Sequence, residues 1–316
     1  MDFWEAQRLA RKRTIFYVVI FVLMTLFVAT AAQLVFYRAT GQFGFPFVGL
    51  IFIGVTFAVA GFQYLGFRSG GGAYVASTVG AYQVTERADN PKVQELLNIV
   101  DEMAIASSLP RPDVYIMPVK QINAFAAGTT PQNSVIAVTE GCLEQLSRDE
   151  LQGVVAHEFG HIRNADMVLS LRLAAMVMGF FFILYIALQV VRVAGFTGGG
   201  RSRSDRKGGG NPVLLIALIL FAAGALAWVF GSILKATVSR EREYLADASS
   251  VQYTRNPDGI IGALRKIEGE ENKDMPKDGM AFSHMYFDNH ASLDSFFATH
   301  PSLEKRIAIL EGRQKR

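Results

Sequence analysis

Cysteine is almost absent from this 316-residue chain. Cys142 stands alone, which excludes an intrachain disulfide framework and a metal site built from cysteines only. Charge is scarce as well. Only 19% of residues are Asp, Glu, Lys or Arg, against about 25% in an ordinary soluble domain. Disorder is excluded by the 51% hydrophobic content, and a purely soluble protein does not fit a mean hydropathy of +0.25. No large excess of either sign is present: 31 basic and 28 acidic residues leave a net charge of +3, too balanced for a nucleic-acid binder. Five histidines are few enough to be weighed singly.

What is present is gathered into blocks. Thr14–Tyr37 and Ala39–Phe67 carry no charge, the second being densely apolar from Phe45. Leu173–Val191 is bounded by Arg172 and Arg192, and Val213–Leu234 by Pro212 and Lys235. A span needs about 20 apolar residues, so the four blocks predict four transmembrane helices. The first is too long for a signal-peptide core and a second block follows at once. Arg8, Arg11, Lys12 and Arg13 before the first block place the N-terminus in the cytoplasm. The Gly195–Asn211 loop, with Arg201, Arg203, Arg206 and Lys207, runs against that trend and reads as a flexible connector. A shallow hairpin that never fully crosses is the alternative there.

Between the blocks the chain reads as mixed α and β. Asn90-Pro91 starts a helix to about Ala106, ended by Leu109-Pro110-Arg111-Pro112. Asp113–Met117, Ile122–Ala127 and Ser134–Thr139 read as strands, the last two separated by a turn at Gly128-Thr129-Thr130-Pro131. Ser147-Arg148-Asp149-Glu150 is a capping box opening a helix expected to run through His157 and His161 into the third span. The fold class expected is therefore α+β, a domain with a small mixed sheet plus four transmembrane helices. Its organisation is a two-span hairpin over 1–67, the first part of the mixed domain over 68–172, a second hairpin over 173–234 and the second part of that domain over 235–316.

The chemistry is concentrated in His157-Glu158-Phe159-Gly160-His161. Composition alone would produce about 0.004 such H-E-x-x-H patterns in this chain. Residues i and i+4 share a helical face, so two imidazoles can reach one ion. Zn²⁺ accepts imidazole nitrogen and keeps a position open. Glu158 stands beside the first ligand as the base that takes a proton from water and passes it to the leaving amine. A metzincin is excluded: Asn164 occupies the required glycine position, and no histidine follows before His284. The first acidic cluster downstream is Glu241-Arg242-Glu243-Tyr244-Leu245-Ala246-Asp247. Glu243 and Asp247 share a face while Glu241 points elsewhere, so Glu243 is expected as the third ligand. Asp247 is then an acceptor for a ligand imidazole N–H. His284 is the reserve ligand, His290 is structural or incidental, Cys142 is packing, and Asp166 caps or braces the ligand helix. His161 lies 12 residues before Leu173 and Glu243 nine after Leu234. These are roughly 18 and 14 Å along continuous helices, which puts both ligand sets at similar heights outside the hydrocarbon.

These residues resemble the HtpX-like family of membrane-bound zinc metalloendopeptidases, gluzincins related to the CAAX prenyl endoproteases. The resemblance runs from about Gly80 to Leu310 and includes the Glu-aromatic-x-Ala-Asp motif at Glu243–Asp247. Asn123-Ala124-Phe125 matches a segment on a strand edging the cleft, where an extended substrate would add as a further strand. His300-Pro301 and Arg306 match a His-Pro…Arg segment whose side chains would donate to the substrate carbonyl or the developing oxyanion. The resemblance implies one Zn²⁺ per chain and endopeptidase action on membrane or misfolded proteins in quality control. It implies a multi-pass protein of the bacterial inner membrane with its catalytic side facing the cytoplasm, and no nucleic-acid partner. Some relatives run on past the position of Arg316. The rival readings are an intramembrane metalloprotease, a non-catalytic zinc-binding scaffold or adaptor and, weakest, a transporter.

Overall fold

The computed structural model describes residues 3–85, 90–197, 212–269 and 301–312. Two compact units emerge, one formed by 1–12, 64–173 and 233–316, the other by 13–63 and 174–232.

The second unit is built from the apolar stretches of α1 (Phe3–Thr40), α2 (Phe47–Thr78), α6 (Asp166–Thr197) and α7 (Pro212–Thr254). Four helices are long and apolar enough to cross a membrane, over Phe16–Thr40, Phe47–Thr78, Asp166–Val193 and Val213–Gly231. Their packing uses small residues where backbones approach. A Cβ on Gly179 would stand 2.7 Å from the Thr56 carbonyl oxygen, and one on Gly224 3.0 Å from the Leu184 nitrogen. Phe180 fills the centre, its ring 4.8 Å from that of Phe21 and 6.2 Å from that of Phe52. Large apolar side chains such as Leu23, Phe27, Leu34 and Phe62 remain exposed, as lipid contact requires.

The first unit carries a four-stranded sheet of order β1-β2-β4-β3, from β1 (Tyr82–Val84), β2 (Asp113–Met117), β3 (Ala124–Ala127) and β4 (Val135–Thr139). The central β2–β4 pair is parallel and both outer pairs are antiparallel. Alternation sends Val114, Ile116, Ile136, Val138, Ala124 and Ala126 into one core with α3 (Pro91–Ser107), α5 (Arg148–Arg163) and α8 (Pro257–Glu268). From α5 the core receives Leu151, Val154, Val155, Phe159 and Ile162, a helical stripe. Ile307 of α9 (Leu303–Leu310) closes it. Strand β1 and helices α8, α9 and α4 (Glu140–Gln145) carry no signal used above. The strand expected over Ile122–Ala127 begins two residues later. Asn123 N–H donates to Thr139 Oγ1 at 3.0 Å, and its side-chain Oδ1 accepts from Ala124 N–H at 2.9 Å.

The start of α5 is as its sequence implies. Ser147 Oγ accepts from the Glu150 N–H at 3.4 Å, Glu150 Oε2 accepts from the Ser147 N–H at 2.7 Å, and Lys266 of α8 donates to that carboxylate at 2.6 Å. Burial acts to raise the Glu150 pKa, but the bonds from Lys266 and Ser147 prevail and hold it below the usual range. Ser147→Ala is expected to cost about 1 kcal/mol of stability, read from thermal unfolding of the detergent-solubilised protein. An unchanged transition would mean that the cap does not help to hold α5.

The end of α5 corrects an expectation. The helix does not continue into the third span. It stops at Arg163, Ala165 takes a left-handed φ of 56°, and α6 begins at Asp166. On a straight helix a residue five places after His161 would lie about 140° round the axis from it. The break brings Asp166 back, so that its Oδ2 stands 3.2 Å from His161 Nδ1. Only the α7 leg of the expected pair of continuous mounts is continuous, over Pro212–Thr254.

Candidate metal centre

His157 and His161 lie one turn apart on α5, and Glu243 reaches them from α7. The helices meet where side chains are smallest. A Cβ on Gly160 would come within 3.0 Å of both Ala246 Cα and Ser249 Cβ, so the glycine permits the approach. Three residues after Asp247, Ser250 Oγ donates to the Gly153 carbonyl at 2.7 Å and locks the register of α7 on α5.

Three ligand atoms converge. His157 Nε2 is 3.2 Å from His161 Nε2 and 3.5 Å from Glu243 Oε2, and His161 Nε2 is 3.6 Å from Glu243 Oε1. Among the described residues this is the group of His, Cys, Asp and Glu side chains able to hold a metal ion. His157 is fully buried and Glu243 is 2% exposed, while the His161 side chain keeps 16%. The opening is therefore on the His161 side. Glu158, next to His157 on α5, is also buried.

Each imidazole is backed by a carboxylate on its other nitrogen. Asp247 Oδ1 stands 2.9 Å from His157 Nδ1, and Asp166 Oδ2 is 3.2 Å from His161 Nδ1. Both carboxylates are themselves held. Arg306 donates from Nε to Asp247 Oδ2 at 2.9 Å and from Nη2 to Oδ1 at 2.6 Å, with its Nη1 3.5 Å from Glu243 Oε2. Arg242 Nη1 stands 3.8 Å from Asp166 Oδ1 and donates to the Asp166 backbone carbonyl at 3.0 Å and to Ser170 Oγ at 3.2 Å. Sequence reasoning passed over Arg242. Its available signal was its place beside the expected ligand Glu243.

The charges follow. Burial would lower the His157 pKa, but hydrogen bonds to Asp247 and Glu243 outweigh it and lift it to about 9. In the metal-free protein this protonation stabilises the fold below the ordinary imidazole value of about 6.5, and the contribution is lost as pH rises through about 9. Burial would raise the Asp247 carboxyl, yet the Arg306 charge and the bonds from His157 and Arg306 hold it below the usual carboxylate range.

The other expected residues fall as follows. Arg306 is fully buried, with two of its donors on Asp247 and Nη1 3.5 Å from Glu243 Oε2, so it meets the site at those two carboxylates. Asn123, Ala124 and Phe125 lie on or beside β3, an edge of the sheet, and are buried. Cys142 is buried, with Sγ 3.0 Å from the Asn123 carbonyl oxygen. His284, His290 and His300, the side chain of Glu241 and the loop from 198 to 211 lie outside the described residues.

The model of peptidase family M48 matches residues 90–314. The chain belongs to peptidase family M48. A "Protease HtpX homolog" of Lactobacillus helveticus is 38% identical over 273 residues, 85% of this chain and 89% of that protein. Another, of Caldanaerobacter subterraneus subsp. tengcongensis, is 35% identical over 311 residues, 98% of this chain and 97% of that protein. Among solved structures, S. mikatae Ste24p aligns with a TM-score of 0.46 at 15% identity, covering 98% of this chain and 66% of that one. Membership of M48 makes the chain a metallopeptidase acting on protein or peptide substrates. With four apolar helices, this M48 peptidase is a multi-pass membrane protein of α+β catalytic architecture with a small mixed sheet.

Proposed function

We propose that this M48 peptidase is a zinc-dependent endopeptidase that cleaves membrane or misfolded proteins on the cytoplasmic side of a bacterial inner membrane. The observation that carries the metal assignment is the ligand triangle. With Zn–N and Zn–O bonds of about 2.0–2.1 Å, tetrahedral neighbours stand about 3.3 Å apart. The separations of 3.2, 3.5 and 3.6 Å are close to that figure before any relaxation. Two nitrogens and one carboxylate leave a fourth position for reacting groups, and one ion per chain fits. A zinc ion held there supplies the Lewis acidity that peptide hydrolysis needs.

The chain's own residues do the rest. Asp247 and Asp166 hold protons on the Nδ1 atoms of His157 and His161, so that each Nε2 offers its lone pair to the ligand position. Arg306 keeps Asp247 ionised and offsets the second carboxylate at Glu243. Glu158 takes a proton from the attacking water and delivers it to the leaving amine nitrogen. The edge strand β3, with Asn123 preceding it, is read as the rail on which an extended substrate lies antiparallel, and His300 as a donor to the oxyanion. The division at 1–67, 68–172, 173–234 and 235–316 is read as two membrane hairpins alternating with two catalytic parts.

The intramembrane alternative is disfavoured by position. Glu243 lies 12 residues beyond Gly231, where the fourth apolar span ends, and the three ligands belong to the sheet-bearing unit. The scaffold reading has no use for Glu158.

Zinc titration tests the reading. Protein stripped by chelator is expected to lose casein hydrolysis and to regain it with one equivalent of zinc. At pH 7.5 the uptake releases a proton, because His157 is protonated without metal. Calorimetry in buffers of different ionisation enthalpy reads that proton. Hydrolysis that persists after stripping, or zinc bound with Glu243→Ala as tightly as in the wild type, would overturn the assignment.

A further inference from the structure

We propose that a cavity between α2, α6 and the turn after β3 binds the phosphate headgroup of an anionic phospholipid. The cavity measures about 190 Å³. Its polar lining is Arg68 of α2, Arg172 of α6 and the pair Thr129 and Thr130. Its remaining wall is apolar and aromatic, with Phe67 and Tyr64 from α2 and Val168 and Leu171 from α6. All of these residues belong to the sheet-bearing unit.

The two arginines carry the inference. Neither Arg68 nor Arg172 meets a carboxylate among the described residues, whereas the buried arginines Arg242 and Arg306 are both engaged with acidic residues. Arg172 lies with its guanidinium carbon 5.8 Å from the centre of the Tyr64 ring, which holds the group at the cavity wall without neutralising it. Two cations lining one cavity, Arg68 exposed and Arg172 partly buried, are a site for a doubly contacted anion, and phosphate suits the planar donor fork of arginine.

Position selects the source of that phosphate. Arg68 is the first charged residue after the uncharged run from Ala39, and Arg172 is the last before Leu173–Val191. Both therefore stand where an apolar helix leaves the hydrocarbon, the level of lipid headgroups, and basic pockets between spans at that level take anionic lipids. Phe67 and Leu171 are buried within the wall, and Val168 is partly open on it; the glycerol and upper acyl chain of a lipid would cover Val168, which a soluble anion would leave exposed. The aromatic ring of Tyr64 is at home at the same depth.

The polar floor is also built. Asn133 Oδ1 accepts from the N–H groups of Thr129 and Thr130, at 2.8 Å each, and its Nδ2 donates to Thr129 Oγ1 at 2.7 Å. That leaves the Thr129 hydroxyl hydrogen to donate elsewhere. Gly71, at φ 56° and ψ −145°, bends α2 three residues past Arg68. A Cβ there would lie 3.2 Å from the Asn133 side chain, so the bend seats the helix on the turn. The lipid would thus tie the end of β3 to the ends of two spans.

The test uses the full-length protein and reads binding, so its outcome is independent of the peptidase assignment. Detergent-purified protein is exchanged into phosphatidylcholine nanodiscs with or without phosphatidylglycerol. Bound lipid is then counted by native mass spectrometry and the unfolding temperature recorded. Phosphatidylglycerol is expected to be retained selectively and to raise the unfolding temperature. Arg68→Ala/Arg172→Ala is expected to weaken that retention at least tenfold, with Arg68→Lys/Arg172→Lys recovering part of it. Thr129→Val, which leaves every charge in place, is expected to weaken it severalfold and decides the matter if the double variant does not fold. Equal retention of the two lipids, or variants that hold phosphatidylglycerol like the wild type, would overturn the proposal. Inorganic phosphate reproducing the full stabilisation in lipid-free detergent would overturn the lipid as the source.

Discussion

Glu158→Gln is expected to lower peptide hydrolysis by about 10²–10⁴-fold while leaving metal content unchanged. The carboxylate is not among the three converging ligand atoms, which come from His157, His161 and Glu243, so its amide replaces a proton acceptor and not a ligand. Gln is isosteric, and the core stripe of α5 on either side, Val155 and Phe159, is untouched. Metal analysis and a casein assay on the same preparation separate the two functions. Wild-type turnover by metal-loaded Glu158→Gln would remove Glu158 from the mechanism. Loss of metal together with activity would make it a structural residue.

Arg306→Ala is expected to have the largest effect on stability. The guanidinium is fully buried between Asp247 and Glu243, and its removal leaves two interior carboxylates facing His157 without that charge. Breaking one partner out of a buried ion network costs about 3–5 kcal/mol. The loss should be greater in chelator-treated protein than in the metal-loaded form, because a bound divalent ion supplies part of the missing charge. Arg306→Ala/Asp247→Asn should recover stability relative to Arg306→Ala, and the double-mutant cycle isolates the coupling. Denaturation with and without metal measures all four forms. A cost below about 1 kcal/mol in both states would mean that the arginine is no more than a surface-like pair.

That arginine illustrates how far a linear reading reaches. The His-Pro…Arg segment marks Arg306 as belonging to the site, but whether its fork meets a substrate or a carboxylate depends on α9 packing through Ile307 into the core shared by α5 and α8. The same limit governs the end of the ligand helix. His161 and Asp166 are five residues apart, a spacing that a straight helix would place on different faces. Only the left-handed Ala165 turns one toward the other. Strand β1 is three residues long, too short to declare a period, and it exists because β2 offers it an edge.

Local periodicity and length dictate four apolar runs long enough to span a bilayer, a capped helix with two imidazoles on one face, and a later helix presenting Glu243 and Asp247 together. Helical geometry settles those relations within a few residues. Which groups from distant segments come together is a matter of packing. Asp247 with Arg306 and Asp166 with Arg242 are such cases, and so is the placement of Arg68 and Arg172 at one cavity. Pairings of that kind depend on how helices approach one another, and here the approach is set by the absence of a side chain at Gly160, a consequence no local pattern encodes.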